Sequence, residues 1–437
     1  MNHADCPGRP TMHPQTGRLA VPLPRPAGMH RPAHLVALTP LRGIAALLVV
    51  IYHFADVYLP NIHPEAVTRA IGKGYLAVDL FFLLSGFVIT HAYRDAFLDG
   101  VTARSYADFV KARIARLYPL HVTVLALFIV TALTKMGFDY ALAREVTPMP
   151  LAGWRSVEAI GANLLMVQGF DVGKFGWNPH AWSLTVEFTA YLIFPFLLPP
   201  IWRAGGPMRV AVAAAMAAAV VAVALRLGGE LNAWDGPMTL LRCVPQFVLG
   251  AMLHDIWRSG WRQRFWCRDA TLGLALLATA VMLHRGAPDL LFPPLFLVVI
   301  LAAAHNAGRL SEAATWRPLA WLGDVSFSLY LLHGLVQYVA TRGLDIGFGI
   351  RDTAALSTKG SFVLLAMMLA ASLGLAGLSY RHIEVGGRRW LRRWLDVPSS
   401  LVRPEAGPLG PESGSRGGEA SATRTRHHVA PANSVSR

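Results

Sequence analysis

Residues 41–54 read LRGIAALLVVIYHF, an apolar run that contains one arginine and one histidine. The run lies in a stretch long enough to cross a bilayer as an α-helix, which takes about 20 apolar residues. A charged side chain at mid-bilayer costs ~2.5–3.5 kcal/mol, so Arg42 and His53 each need a reason to be there. Eleven residues make almost three helical turns, so the two side chains share one face and lie about 16 Å apart along the axis.

Similar apolar runs recur along the chain of 437 residues, of which 54% are hydrophobic and only 15% are charged. A soluble protein usually carries about 25% charged residues, so this composition indicates a polytopic membrane protein. Backbone polar groups must be satisfied inside the bilayer, and Ala- and Leu-rich runs therefore predict an all-α transmembrane helix bundle rather than a barrel. We predict about ten spans, at 35–58, 75–93, 117–134, 182–202, 210–225, 237–257, 270–284, 290–305, 318–340 and 361–380.

The loops between these spans differ in charge. With the N-terminus inside, the inner loops carry 22 Lys and Arg over 101 residues, and the outer loops carry 11 over 99. This bias predicts that both termini are cytoplasmic. The basic residues are spread over loop edges rather than gathered on one face, so we expect them to face the lipid bilayer and no nucleic acid.

The chain divides into three parts by composition. Residues 1–34 are rich in Pro, His and Arg and are predicted to be a disordered cytoplasmic segment without the apolar core of a signal peptide. Residues 35–393 are the predicted transmembrane domain, and residues 394–437 are predicted to be a disordered cytoplasmic tail. The three cysteines form no metal-binding pattern, and we expect no metal and no bound cofactor.

Five of the predicted spans carry an ionisable residue at one depth in the outer half of the bilayer: His53, Asp79, Glu187, Arg242 and His333. Ionisable groups gathered at one level are typical of a buried polar site. The alternative is that they only neutralise one another, with Arg242 paired to Glu187 or Asp79 and the histidines as packing residues.

Two further features lie outside this layer. Arg113 and Arg116 open the third span three residues apart, so their guanidinium groups lie one above the other and suit a phosphorylated ligand. Anchoring of the span on the inner side explains them as well. In the outer loop 135–181, Trp154 and Trp177 could stack on sugar rings or belong to the interfacial aromatic belt.

Six motifs occur in an order that resembles the acyltransferase 3 family of membrane acyltransferases: LTPLRGIAALLVVIYHF, GYLAVDLFFLLSGFVI, ARIARLYPL, WSLTVEFTAYLIFP, RCVPQFVLGAML and FSLYLLH. The resemblance covers roughly residues 35–385. It implies an O-acyltransferase in the bacterial cytoplasmic (inner) membrane. Such an enzyme moves an acyl group, usually acetyl, from cytoplasmic acyl-CoA to a hydroxyl of a carbohydrate or other acceptor.

The resemblance also implies roles for individual residues. The family's arginine–ten residues–histidine motif falls on Arg42 and His53, its arginine pair on Arg113 and Arg116, and the acid of its Ser-x-x-Glu stretch on Glu187, while Asp79, Arg242 and His333 belong to the polar interior. Two departures bear on the acceptor pocket. The opening LTPLRG lacks the acidic residue that often precedes the leucine, and FTAYLIFP lacks the glutamine that often precedes the aromatic residue.

These residues suggest a reaction. An alcohol is a weak nucleophile at neutral pH and needs a general base, for which histidine is suited. We expect His53 to take the proton of the acceptor hydroxyl, with Glu187 or Asp79 orienting its ring. We expect the substrate-binding residues to be Arg42, Arg113, Arg116, Arg242 and His333. Direct transfer and relay through an acyl-histidine both remain open.

A transporter or flippase for a lipid-linked sugar or small molecule is the alternative function, because buried charges also suit transport. A structural membrane subunit is a third interpretation, against which the cost of so many buried charges argues. The acceptor, the acyl chain length and the oligomeric state are not readable from the sequence.

Overall fold

A computed structural model of the protein describes residues 35–141 and 153–398, all within one compact unit. The predicted terminal segments 1–34 and 394–437 lie outside the described residues, except for 394–398. Within the described ranges the regular structure is helical and contains no strand, which confirms the all-α prediction. The helices are α1 (Leu38–Ile51), α2 (Ala77–Phe97), α3 (Ala103–Ala141), α4 (Val157–Leu164), α5 (Val172–Phe175), α6 (Trp182–Arg203), α7 (Gly206–Arg226), α8 (Met238–Ser259), α9 (Gln263–Trp266), α10 (Asp269–Arg285), α11 (Phe292–His305), α12 (Arg309–Ala313), α13 (Arg317–Asp324), α14 (Ser326–Phe348), α15 (Thr358–Ser379) and α16 (Val385–Trp394).

Six helical segments of the described chain are long and apolar enough to cross a membrane: Leu38–Tyr58, Gly74–Phe97, Ala103–Ala141, Pro179–Arg203, Gly206–Arg226 and Thr358–Trp394. A seventh is added if α13 and α14, which meet at 66°, count as one broken span. The predicted total of about ten is not confirmed. The other predicted spans coincide with α8, which carries several charged residues, and with α10 and α11, which have 17 and 14 residues. The side on which the termini lie stays a prediction.

Helices α2 and α8 pack backbone against backbone. A Cβ atom on Gly86 would lie 1.9 Å from the carbonyl oxygen of Phe247, and one on Gly250 would lie 1.9 Å from that of Leu83. Only glycine allows so close an approach, as is common between membrane helices. The contact is reciprocal and places the N-terminal halves of the two helices side by side.

A second close contact positions α14. A Cβ atom on Gly43 of α1 would lie 2.6 Å from the backbone nitrogen of Gly323 in α13, and one on Gly323 would lie 2.3 Å from the carbonyl oxygen of Thr39. Because α14 begins two residues after α13 ends, this contact also fixes where α14 starts relative to α1. The first turns of α14 therefore run alongside the end of α1.

Two of the membrane helices widen into π turns. Helix α1 continues as the π turn Tyr52–Tyr58, and α15 continues as Tyr380–Glu384. A π turn pairs each N–H with the carbonyl five residues earlier and often marks a functional position. The first of these turns carries His53, and the second ends at Glu384.

The segment before α6 folds over the bundle as short helical turns, which are Gly153–Arg155, α4, Gln168–Phe170, α5 and Pro179–Ala181. Trp177 is fully buried beneath it and donates its Nε1–H to the carbonyl oxygen of Ser156 at 3.2 Å. Its role is therefore packing, and the predicted stacking on a sugar ring does not fit its burial.

We expect Gly250→Ala to lower the free energy of unfolding by roughly 1–3 kcal/mol or more, because the new methyl group must push α2 away from α8. Thermal unfolding of the purified protein in detergent measures this. Gly374→Ala in α15 is the matched control, since an added Cβ meets nothing within 4 Å there. Equal stability of the two variants would show that the α2–α8 contact is looser than described.

Candidate active site

Three histidines from different elements meet in what we call the histidine cluster: His53, His180 and His333. The ring centroids lie 4.2 Å apart for His53 and His180, 4.5 Å for His180 and His333, and 5.0 Å for His53 and His333. One ring nitrogen from each lies within 4.8 Å of the others. His333 is buried, and the other two rings are partly buried. The structure thus brings the two predicted histidines together and adds a third.

Backbone carbonyls determine which ring nitrogens carry protons. His53 Nδ1 lies 2.9 Å from the carbonyl oxygen of Val49, and His333 Nδ1 lies 2.5 Å from that of Tyr330. A carbonyl only accepts, so each Nδ1 carries the hydrogen and each neutral ring keeps the lone pair of Nε2. The Val49 carbonyl lies one helical turn before His53 and accepts the Tyr52 backbone N–H as well as the His53 ring. The cluster therefore presents two Nε2 lone pairs in one place.

His180 is the site residue that the sequence reasoning missed. It precedes α6 in the turn Pro179–Ala181, and a histidine in a loop carries no burial penalty that would mark it. Its ring is held against α14, since a Cβ atom on Gly334 would lie 2.5 Å from His180 Cδ2 and 3.0 Å from Asn178 Oδ1. Gln337, one turn further along α14, also lies beside His180. The available signal was that His333 is followed directly by a glycine, which leaves room for a neighbouring side chain.

The predicted orienting acid Asp79 lies elsewhere. Its carboxylate accepts from Arg242 Nε at 3.0 Å and from Arg242 Nη2 at 2.7 Å, and the amide of Gln246 also donates to it. Arg242 further donates to the carbonyl oxygens of Ala233 at 2.8 Å and Tyr75 at 3.0 Å. Both side chains of the pair are fully buried. This is the neutralising pair that the sequence left open as an alternative, and the orienting role for His53 falls to the Val49 carbonyl instead.

Glu187 also lies away from the His53 ring. It accepts hydrogen bonds from Tyr191 and, at 3.3 Å, from Ser85. One turn earlier on α6, the Ser183 hydroxyl lies 2.8 Å from the Tyr330 hydroxyl. The Tyr330 hydroxyl donates its hydrogen to the His180 carbonyl at 3.0 Å, so Ser183 is the donor to Tyr330. A line of polar groups thus leads from the histidine cluster to Glu187.

The two members of the predicted arginine pair have different partners in the structure. Arg113 is buried, donates to the Tyr93 hydroxyl at 2.6 Å and lies 5.7 Å from the Tyr191 ring. Arg116 pairs with Glu384. Arg113 therefore continues the polar line beyond Glu187, and a phosphate site shared by the two arginines stays a prediction.

Arg42 is partly buried at the other end of α1 from His53. Its neighbour Gly43 packs on Gly323 in the α1–α13 contact. No side-chain contact among those described joins it to the histidine cluster.

The cluster is capable of two kinds of chemistry. A neutral imidazole whose Nδ1–H is held by a carbonyl can act as a general base through Nε2. Three histidines with one open position are also a ligand set that Zn²⁺ accepts, and its histidine ligands commonly donate their other N–H to a carbonyl. His53 and His333 share that arrangement.

Comparisons with known proteins identify the class of protein. A family model described as an acyltransferase domain, that of the acyltransferase 3 family, matches residues 35–381. The acyltransferase MdmB of Streptomyces mycarofaciens is 29% identical over 394 residues, which cover 83% of this chain and 94% of MdmB. The O-acetyltransferase OatA of Staphylococcus aureus is 24% identical over 336 residues, which cover 70% of this chain and 51% of OatA. The match with OatA thus spans about half of that protein, and no solved structure matches the chain.

We expect Asp79→Leu to destabilise the protein by about 3–5 kcal/mol, because it leaves the buried charge of Arg242 unpaired. Adding Arg242→Met should restore most of the loss, since the double variant buries no charge. Thermal unfolding of the single and double variants in detergent measures both effects. A double variant as unstable as Asp79→Leu would contradict the pairing.

Proposed function

We propose a reaction from one premise, which is that the chain belongs to the acyltransferase 3 family, whose model matches residues 35–381. The chain is a multi-pass membrane acyltransferase. The proposed activity is transfer of an acyl group, by default acetyl, from cytoplasmic acyl-CoA to a hydroxyl of a sugar-containing acceptor. The histidine cluster is the observation that carries the proposal, because it is a set of oriented bases that the bundle leaves without a charged partner among the described residues, unlike the buried Asp79–Arg242 pair.

In the proposed step His53 Nε2 takes the proton of the acceptor hydroxyl while the oxygen attacks the thioester carbonyl. A carbon–oxygen bond forms, and the tetrahedral intermediate collapses by breaking the carbon–sulfur bond. His53 returns the proton to the departing CoA thiolate, so an ester and free CoA leave and the enzyme is unchanged. One ring nitrogen of His333 and one of His180 lie within 4.8 Å of a His53 ring nitrogen, and the Nε2 lone pair of neutral His333 is available to the developing positive charge.

The polar line that leaves the cluster is the proposed route of the donor arm. It runs from Tyr330 and Ser183 to Glu187 and Tyr191, and ends at Arg113. The CoA phosphates are too polar to enter the bilayer, and Arg113 is the cation nearest the proposed cytoplasmic end of this line. Glu187 then positions groups along the route instead of orienting His53.

The comparisons bear on the alternative function as well. MdmB is named an acyltransferase and OatA an O-acetyltransferase, and both relatives align over most of this chain. These names support an enzyme over a transporter or flippase. We place it in the bacterial cytoplasmic (inner) membrane, where acyl-CoA is available on one side.

We expect His53→Ala to lower transfer of radiolabel from acetyl-CoA by about 10²–10⁴-fold, the contribution of a general base. The assay uses membranes that hold wild type or variant, with mixed glycans and lipid-linked sugars of the host as acceptors. The labelled product would also begin to identify the acceptor.

His63→Ala is the matched control, because His63 is an exposed histidine paired with Glu65. It should transfer label at the wild-type rate. Full activity of His53→Ala would overturn the assigned base. A general base also predicts that EDTA leaves the rate unchanged, whereas a loss on chelation that Zn²⁺ restores would make the histidines metal ligands.

We expect Gly334→Ala to lower the transfer rate by about 10- to 100-fold, because the new methyl group displaces His180 from the cluster and small misplacements are costly. Gly343→Ala on the same helix is the control, since an added Cβ meets nothing within 4 Å there. Initial rates, normalised to folded protein, measure the difference. Equal rates for the two variants would show that the position of His180 does not matter.

A further inference from the structure

Two arginines gather around one aromatic ring beyond the histidine cluster, in what we call the arginine stack: Arg155, Arg342, Trp154 and Tyr338. The Arg155 guanidinium carbon lies 4.1 Å from the centre of the Trp154 ring and 4.3 Å from that of Tyr338. The Arg342 guanidinium carbon lies 5.0 Å from the same Tyr338 ring. Arg155 comes from the turn Gly153–Arg155, and Arg342 comes from α14.

The charges of the arginine stack are not neutralised within the described residues. Arg155 and Arg342 form no salt bridge there, and the buried Nε atom of each makes no hydrogen bond. The acid three residues beyond Arg342, Asp345, pairs instead with Lys135 at 3.5 Å and with Arg351 at 3.3 Å. Burial lowers the pKa of Arg155 and the nearby charge of Arg342 lowers it too, while Tyr338 acts in the opposite direction.

Two partly buried like charges repel each other, and an anion placed between them removes the cost. Arginine is suited to this task, because its planar group binds carboxylate or phosphate through two parallel hydrogen bonds. Trp154 is 46% exposed and presents an aromatic surface next to the two cations. An interfacial aromatic belt would explain a tryptophan at this place but not two adjacent, unneutralised arginines.

The arginine stack is tied to the histidine cluster by two structural links. Arg342 follows His333 by nine residues on α14, a rise of about 14 Å and two and a half turns, so the two side chains leave opposite faces of the helix. The link runs instead on the His180 side. Ser156, next to Arg155, accepts the Nε1–H of Trp177, which lies three residues before His180. Tyr338 of the arginine stack directly follows Gln337, which lies beside His180, so an acceptor bound at the stack would extend toward the cluster on that side.

We propose that the arginine stack binds the anionic group of a negatively charged carbohydrate acceptor, with Trp154 packed on a sugar ring, and so selects the acceptor of this enzyme. The inference rests on the proposed function, because that function makes the bound sugar the acceptor of the acyl group. The shared chemistry is an oxyanion on a sugar, either the carboxylate of a uronic acid or the phosphate of a sugar phosphate. A cationic amino sugar would be disfavoured.

The test is binding of four simple sugars to the purified full-length protein by saturation-transfer NMR, without a donor. The probes are glucuronate, glucose 1-phosphate, glucose and glucosamine. We expect wild type to bind one or both anionic sugars at least tenfold more tightly than glucose, with glucosamine weakest and with the anion preference reduced by salt. Whichever of glucuronate and glucose 1-phosphate has the lower dissociation constant shows whether the arginine stack prefers a carboxylate or a phosphate.

Arg155→Gln and Arg342→Gln should each raise the dissociation constant of the anionic probe about tenfold and leave that of glucose unchanged. Arg351→Gln is the matched control, because Arg351 is an exposed arginine three residues after the end of the same helix. Arg155→Lys keeps a charge and should lose less than Arg155→Gln, and thermal unfolding confirms that each variant is folded.

Equal binding of glucose and both anionic sugars by wild type, or no measurable binding of any anionic sugar, would overturn the inference. Unchanged anion binding in both glutamine variants would overturn it as well. The result is separable from the proposed function. Binding needs no acyl transfer, so His53-dependent labelling without anion preference would remove only this inference, and anion binding without labelling would remove the proposed function.

Discussion

The buried ion pair between Asp79 and Arg242 is the interaction on which the rest of the bundle depends. Each ion alone would cost several kcal/mol to desolvate, and the pair is acceptable because its donors and acceptors are satisfied by one another, by Gln246 and by two backbone carbonyls. These are the carbonyls of Tyr75, just before α2, and of Ala233, just before α8. The ion pair therefore ties together the two loops that lead into these helices. The glycine contact between α2 and α8 is what allows the two side chains to meet.

The polar interior contains two kinds of group that differ in how well they are satisfied. Arg242 and Asp79 use their hydrogen-bonding capacity within the bundle and hold it together. His333 Nε2 and Asn178 Oδ1 lie at the histidine cluster, are buried and make no hydrogen bond within the described residues. Most buried polar atoms in folded proteins are bonded, and a substrate in the cluster would supply the partners that these two atoms lack.

Backbone geometry determines how the rings of the histidine cluster are oriented and which of their nitrogens can act as a base. The Val49 carbonyl near the end of α1 holds Nδ1 of His53, and the absence of a side chain at Gly334 leaves room for His180 against α14. A carbonyl fixes the tautomer of a histidine but adds no negative charge. The proposed base therefore relies on its neighbouring rings and not on a carboxylate, unlike a Ser-His-Asp triad. The arginine stack then supplies positive charge further along α14, where an acceptor would enter.

The sequence by itself determined the class of protein and the all-helical architecture, because hydropathy depends only on local residues, and its motifs determined the family. The depth of each buried charge stays a prediction. The sequence could not determine which charge pairs with which, since depth leaves the direction around each helix axis open. That direction was decided by packing, which joined Arg242 to Asp79, gave Arg113 and Arg116 different partners and turned Glu187 toward Tyr191. His180 and Arg155 lie in short turns outside the spans predicted from the sequence, so only the tertiary structure could bring them to α14.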